Sequence, residues 1–72
     1  MSWINYHISI DDIPKDIVLQ NTIEEAEALD REGNEEYFCV ADAIDMLGKQ
    51  LRTAGKISDE QWNRLCSRYP GL

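Results

Sequence analysis

The sequence predicts an all-α fold: a small three-helix domain, with a short fourth helix as an alternative, a C-terminal antiparallel helical hairpin and an extended N-terminal arm. Three observations predict it. Between residues 36 and 54, Tyr37, Val40, Ile44, Leu47, Leu51 and Ala54 recur at alternating steps of three and four, which stacks them on one side of an α-helix. Two stretches, Thr22-Ile23-Glu24-Glu25 and Ser58-Asp59-Glu60-Gln61, have the form of capping boxes. Gly33 and Gly55 stand where helix C-termini need a left-handed residue. The whole chain of 72 residues reads as a single domain, with an arm over 1–12, helices over 22–32, 35–54 and 58–69, and the optional short helix over 13–20.

In chain order, WINYHISI over 3–10 alternates: Ile4, Tyr6, Ile8 and Ile10 point one way, Asn5, His7 and Ser9 the other. A lone strand has no ladder partner. It can pair with 16–19, pair with its counterpart in a second subunit, or lie as an arm over the helices, and the last two are favoured. Asp11-Asp12-Ile13-Pro14 has the form of a helix start, with an aspartate cap and proline in the first turn. The implied helix over 13–20 is short, and Ile17-Val18-Leu19 suits a strand equally well.

Thr22 caps the next helix, Ile23, Ala26 and Leu29 form its inner stripe, and Glu27 pairs with Arg31 outside. Gly33-Asn34 closes it, and Asn34 caps the central helix. That helix ends at Gly55 with Lys49, Arg52 and Lys56 near its negative pole. Ser58 opens the last helix, with Ile57 and Trp62 as a hydrophobic staple and Trp62, Leu65 and Tyr69 on its inner face. The short link between the last two helices makes them antiparallel neighbours. The expected core is Tyr37, Val40, Ile44, Leu47, Leu51, Trp62, Leu65 and Tyr69.

Composition narrows the function classes. A chain this short buries only about 60% of its unfolded surface, leaving little to spare for a catalytic cleft. Residues 1–46 hold twelve acids against Lys15 and Arg31, a balance of −10, whereas 47–72 stand at +3. Such a chain repels nucleic acid and anionic membranes, and its carboxylates serve solubility first. The start of the chain shows no signal-peptide pattern, and no apolar run is long enough to span a bilayer. With only Cys39 and Cys66, the chain reads as cytosolic and reduced.

No residue set names a reaction, so the chain is expected to be non-catalytic and free of metal and cofactor. The acidic loop from Asp30 lacks the EF-hand pattern: its sixth and twelfth places hold Glu35 and Ala41. His7, Cys39 and Cys66 are scattered, unlike zinc ligands or a Cys–His nucleophile pair. In the expected hairpin Cys66 lies near Met46, leaving Cys39 roughly 10 Å up the helix, too far for a disulfide. Both cysteines are therefore expected as small apolar core residues. A helix-turn-helix reading would make 59–69 the recognition helix, but it carries only Arg64 and Arg68 behind two leading acids.

Two functional expectations remain. The first is a protein–protein interaction module that binds a partner or a second copy of itself through large rings the thin core cannot hide, chiefly Trp3, Tyr6 and Phe38. The second is an acidic inhibitor or nucleic-acid mimic, of anti-CRISPR, anti-restriction or antitoxin type. It would occupy the basic groove of a nucleic-acid enzyme with Glu24, Glu27, Asp30, Glu35 and Asp42 as exposed carboxylates.

Overall fold

Asp16, the last residue before an uninterrupted helical run, accepts from the Val18 and Leu19 N–H groups at 3.0 and 3.1 Å and so sets the start of the first helix. In a computed structural model, which describes residues 2–71, this helix is α1 (Ile17–Glu32), followed by α2 (Tyr37–Thr53) and α3 (Asp59–Arg68). The described residues contain no strand. The short helix expected over 13–20 and the helix over 22–32 are therefore corrected to one element. Nothing between Ile17 and Glu32 breaks a helix, so Thr22 sits inside it and its hydroxyl donates to the Val18 carbonyl at 2.8 Å instead of capping. Pro14 lies outside the helix, where it biases Ile13 to extended backbone.

The other helix ends follow their local chemistry. At the end of α1, Gly33 takes φ 66° and Asn34 N–H bonds back to Leu29 O at 3.0 Å. Asn34 Oδ1 then accepts from Glu36 N–H at 3.0 Å, turning the chain into α2. After α2, Gly55 takes φ 75° and Lys56 N–H bonds to Leu51 O at 2.9 Å. Ser58 and Gln61 form the reciprocal capping box of α3, and Ile57 is buried beside it.

Helix α2 is the centre: α1 and α3 each pack on it, and among the described residues their backbones do not pack on each other. Its most buried line is Tyr37, Ala41, Ile44 and Gly48, with Val40, Leu47 and Leu51 half-buried beside it. This shifts the expected core stripe toward α3. A helix with neighbours on two sides buries a wide face, and its closest approach falls where side chains are small. Gly48 is that point. A Cβ there would stand 2.8 Å from Leu65 Cδ2 and from Trp62 Cδ1.

The N-terminal segment fills the space that α1 and α3 leave between them. Ile4 and Ile13 join the buried cluster, and Asn5 N–H donates to Arg68 O at 2.9 Å. Arg64 grips Asp12 with both guanidinium nitrogens, Nη1 at 2.7 Å from Oδ1, and also donates to Ser9 O at 3.0 Å. Arg68 Nη1 reaches Ile8 O at 2.7 Å. Turns at Asn5–Ile8 and Ile10–Ile13 bend the segment, so the alternation expected over 3–10 does not hold: Ile4 is buried and Tyr6 is half exposed.

Gly48→Ala should test the close approach. The helix gains about 1 kcal/mol in propensity, while overpacking a full core costs about 1–3 kcal/mol. The expected net loss of about 1 kcal/mol would lower Tm by about 4–8 °C in thermal unfolding. Gly48→Val should lower it further.

Candidate interaction surface

The residues first singled out for binding separate into buried and exposed groups. Tyr37 is fully buried, and its hydroxyl donates to Pro70 O at 3.0 Å. Trp3 stacks on it at 5.3 Å between ring centroids, and Phe38 lies 5.0 Å from Trp3 and 5.2 Å from Tyr37. Trp3 and Phe38 are thus half-buried packing partners, and of the expected aromatic anchors Tyr6 alone is exposed, at 50%. Even that ring carries the Arg68 guanidinium 5.2 Å from its centroid. Trp62 is covered in the same way by Arg52 at 4.3 Å, and its Nε1–H donates to Asp45 O at 3.3 Å.

Asp30 requires a correction. It was expected as an exposed contributor to an acidic surface, yet it is 5% exposed. One oxygen accepts from Ser2 Oγ and the other from the Trp3 N–H, both at 2.6 Å. The inner line of α1, Leu19, Ile23, Ala26 and Asp30, follows helical spacing, and the carboxylate is placed inside to fasten the N-terminal segment. Burial pushes its pKa up, but hydrogen bonds from Ser2 and the Trp3 N–H outweigh that and hold it below the ordinary value. Glu27 is half-buried, 3.9 Å from Arg68. Glu24, Glu35 and Asp42 are exposed as expected.

The exposed apolar side chains lie elsewhere. Ile17 is 76% exposed, Val18 55% and Met46 62%. Ile17 escaped sequence reading for a definite reason. A helix beginning at Ile13 places Ile17 on the same side as Ile13, whereas the true start at Asp16 leaves Ile13 in the core and turns Ile17 outward. On the outer side of α2, Met46, Lys49, Gln50, Thr53 and Ala54 line an open cleft of about 470 Å³. A smaller one of about 210 Å³ adjoins it, shares Gln50 and Ala54, and adds Leu47, Leu51, Lys56 and Asp16.

The cysteines also need correcting. Cys39 is exposed, because it falls on the side of α2 opposite the Ala41–Gly48 line, and Cys66 is partly buried. Cys66 lies beside Asp45, with Sγ donating to Oδ1 at 2.8 Å, and burial together with that hydrogen bond pushes its pKa up to about 12. His7 is exposed, and among the described residues no three His, Cys, Asp or Glu side chains converge as a metal site. Among the described residues no helix is long and apolar enough to cross a membrane. The chain matches no protein-family model, no curated protein and no solved structure.

Two outcomes follow from this geometry. Thiol labelling at neutral pH should modify Cys39 rapidly and Cys66 only on unfolding, as mass spectrometry after a timed quench would show. Asp12, lowered to about 2 chiefly by its hydrogen bond to Arg64, and Asp30 both have depressed folded values. Their stabilisation is therefore complete above the ordinary value of 3.8 and is lost as pH falls through the folded values. Asp30→Asn, which leaves one of two buried donors facing an amide NH₂, should cost about 1–3 kcal/mol at neutral pH and flatten the acid limb of the stability profile.

Proposed function

We propose that this chain is a non-catalytic protein-binding module. Finer architecture is part of this reading: α2 and α3 form an antiparallel hairpin, and the N-terminal segment is an arm that closes the core. The observation that supports it is that the large apolar side chains of Ile17, Val18 and Met46 stand 76%, 55% and 62% exposed in a domain that has turned most of its aromatic rings inward. Residues of this kind gain about 1.5–3 kcal/mol each when fully covered, and no part of the described chain covers them. The docking side chains proposed from the aromatic set reduce to Tyr6, while Trp3 and Phe38 contribute only their exposed edges. The partner is another protein or a second copy, met in the cytoplasm.

A second reading is acidic mimicry, supported by the net charge of −7 and by the exposure of Glu24, Glu35 and Asp42. Salt separates the two. Apolar docking should hold from low to high ionic strength, whereas carboxylates seated in a basic groove should release their partner as screening increases. The measurement is affinity for a partner captured from the source organism, taken across a salt series with three proteins. Ile17→Asp with Met46→Asp should weaken binding about tenfold or more, and Glu24→Lys with Glu35→Lys, both at exposed positions, should leave it unchanged. The opposite pattern, with salt-labile binding, establishes mimicry instead.

A further inference from the structure

The groove between α1 and α3 is filled by residues 2–13, a segment that belongs to neither helix. The groove answers the segment's polar groups from both sides. Asp30 accepts from Ser2 and from the Trp3 N–H, Arg64 grips Asp12, and Arg68 donates to the Ile8 carbonyl. Within the segment the backbone-to-backbone bonds amount to two turns, Ile8 N–H to Asn5 O and Ile13 N–H to Ile10 O. Its position is therefore set by the groove and not by a fold of its own. The link to α1 is short and bare: Pro14 and Lys15 are exposed and lie outside any turn or helix. Directly after the Asp16 cap come the exposed apolar side chains of Ile17 and Val18.

We infer that the groove of one copy receives residues 2–13 of a second copy, so that two chains exchange their N-terminal segments about a two-fold axis. The inference rests on the protein-binding reading above and gives it a partner and a surface. The occupant is chosen by complementarity: carboxylate faces guanidinium, and guanidinium faces carbonyl, at each point where the segment meets the helices. Every such bond forms unchanged in the exchanged pair, because the same donors and acceptors are drawn from two chains.

What changes is the hinge. Three Cα steps separate Ile13 from Asp16, a reach of about 11 Å at most. In the exchanged pair each groove has two α1 starts within that reach, its own chain's and the donor's. The two first turns therefore meet near the axis, and Ile17 and Val18 of each copy lie where they cover one another. A short hinge favours exchange, since a long loop closes freely on its own groove. A short tether holds its segment at an effective concentration of about millimolar, and covering each apolar side chain is worth about tenfold in Kd, which brings dissociation into the micromolar range or below. Two chains of charge −7 repel, so the dimer should tighten as salt screens them.

Two full-length variants test the exchange. Asp12→Arg spoils the segment for the native groove, and Arg64→Asp spoils the groove for the native segment, so each alone should melt several degrees below wild type. Mixed, each segment finds an opposite charge only in the other chain's groove. The mixture should therefore form a heterodimer in native mass spectrometry and regain Tm and helicity, even if either variant is unfolded alone. The wild-type chain should dimerise slowly in sedimentation. Ile17→Asp with Val18→Asp should raise its Kd about tenfold or more, and a long glycine–serine insertion between Pro14 and Lys15 should return it to monomer with helicity unchanged. A mixture that melts as the sum of its parts without heterodimer overturns the inference. So does a wild-type chain that stays monomeric at near-millimolar concentration, or a dimer indifferent to the insertion. If exchange fails in this way while a captured partner still depends on Ile17 and Met46, the protein-binding reading stands. If no partner depends on them either, both fall.

Discussion

Two of the three helices are held together through a segment that is not a helix. Because the backbones of α1 and α3 pack on α2 but not on each other, and only Glu27 and Arg68 approach across the gap, the wedge between them stays open until residues 2–16 are laid into it. That segment cannot hold itself in place by a sheet ladder or a helix, so its carbonyls and carboxylates must find partners on the helices. Asp30 supplies two short bonds on the α1 side, and Gln61, Arg64 and Arg68 hold the segment from α3. Ile4 and Ile13 then contribute buried surface that a three-helix arrangement alone would lack.

This arrangement explains the distribution of polar and aromatic residues. Arg68 would be an ordinary terminal cation on a longer helix, yet here it bridges Ile8 O, Tyr6 O and Tyr69 Oη and packs over the Tyr6 ring. Trp3 reaches Tyr37 and Phe38 because its own N–H and the neighbouring Ser2 hydroxyl are fastened to Asp30. Rings that might have served as outward anchors are thereby used inside, and the exposed apolar surface moves to the start of α1 and the outer side of α2. In a small domain, the same few large side chains cannot serve both the interior and a docking surface.

Local chemistry made part of this legible in the sequence. The Ser58 box, the Gly33 and Gly55 turns and the three-and-four periodicity of α2 are each short-range signals, and each appears in the structure near its expected place. Thr22 misled because its box is real as a pattern but loses to the uninterrupted helix begun at Asp16. Asp30 misled because its role depends on a segment 27 residues away, which periodicity cannot see. Gly48 and Ala41 were passed over because a hydrophobic stripe is read from large residues, whereas the closest helix approach selects small ones.

The Arg64–Asp12 grip joins positions 52 apart in a chain of 72 residues, and the Tyr37 hydroxyl finds its acceptor at Pro70. Helices form from near neighbours within microseconds, but these closures span most of the polypeptide and carry the loop-closure entropy of doing so. During synthesis the first sixteen residues leave the ribosome long before α3 exists to receive them. Their isoleucines and Trp3 must therefore wait in solvent, and the interior is sealed only once α3 has been made.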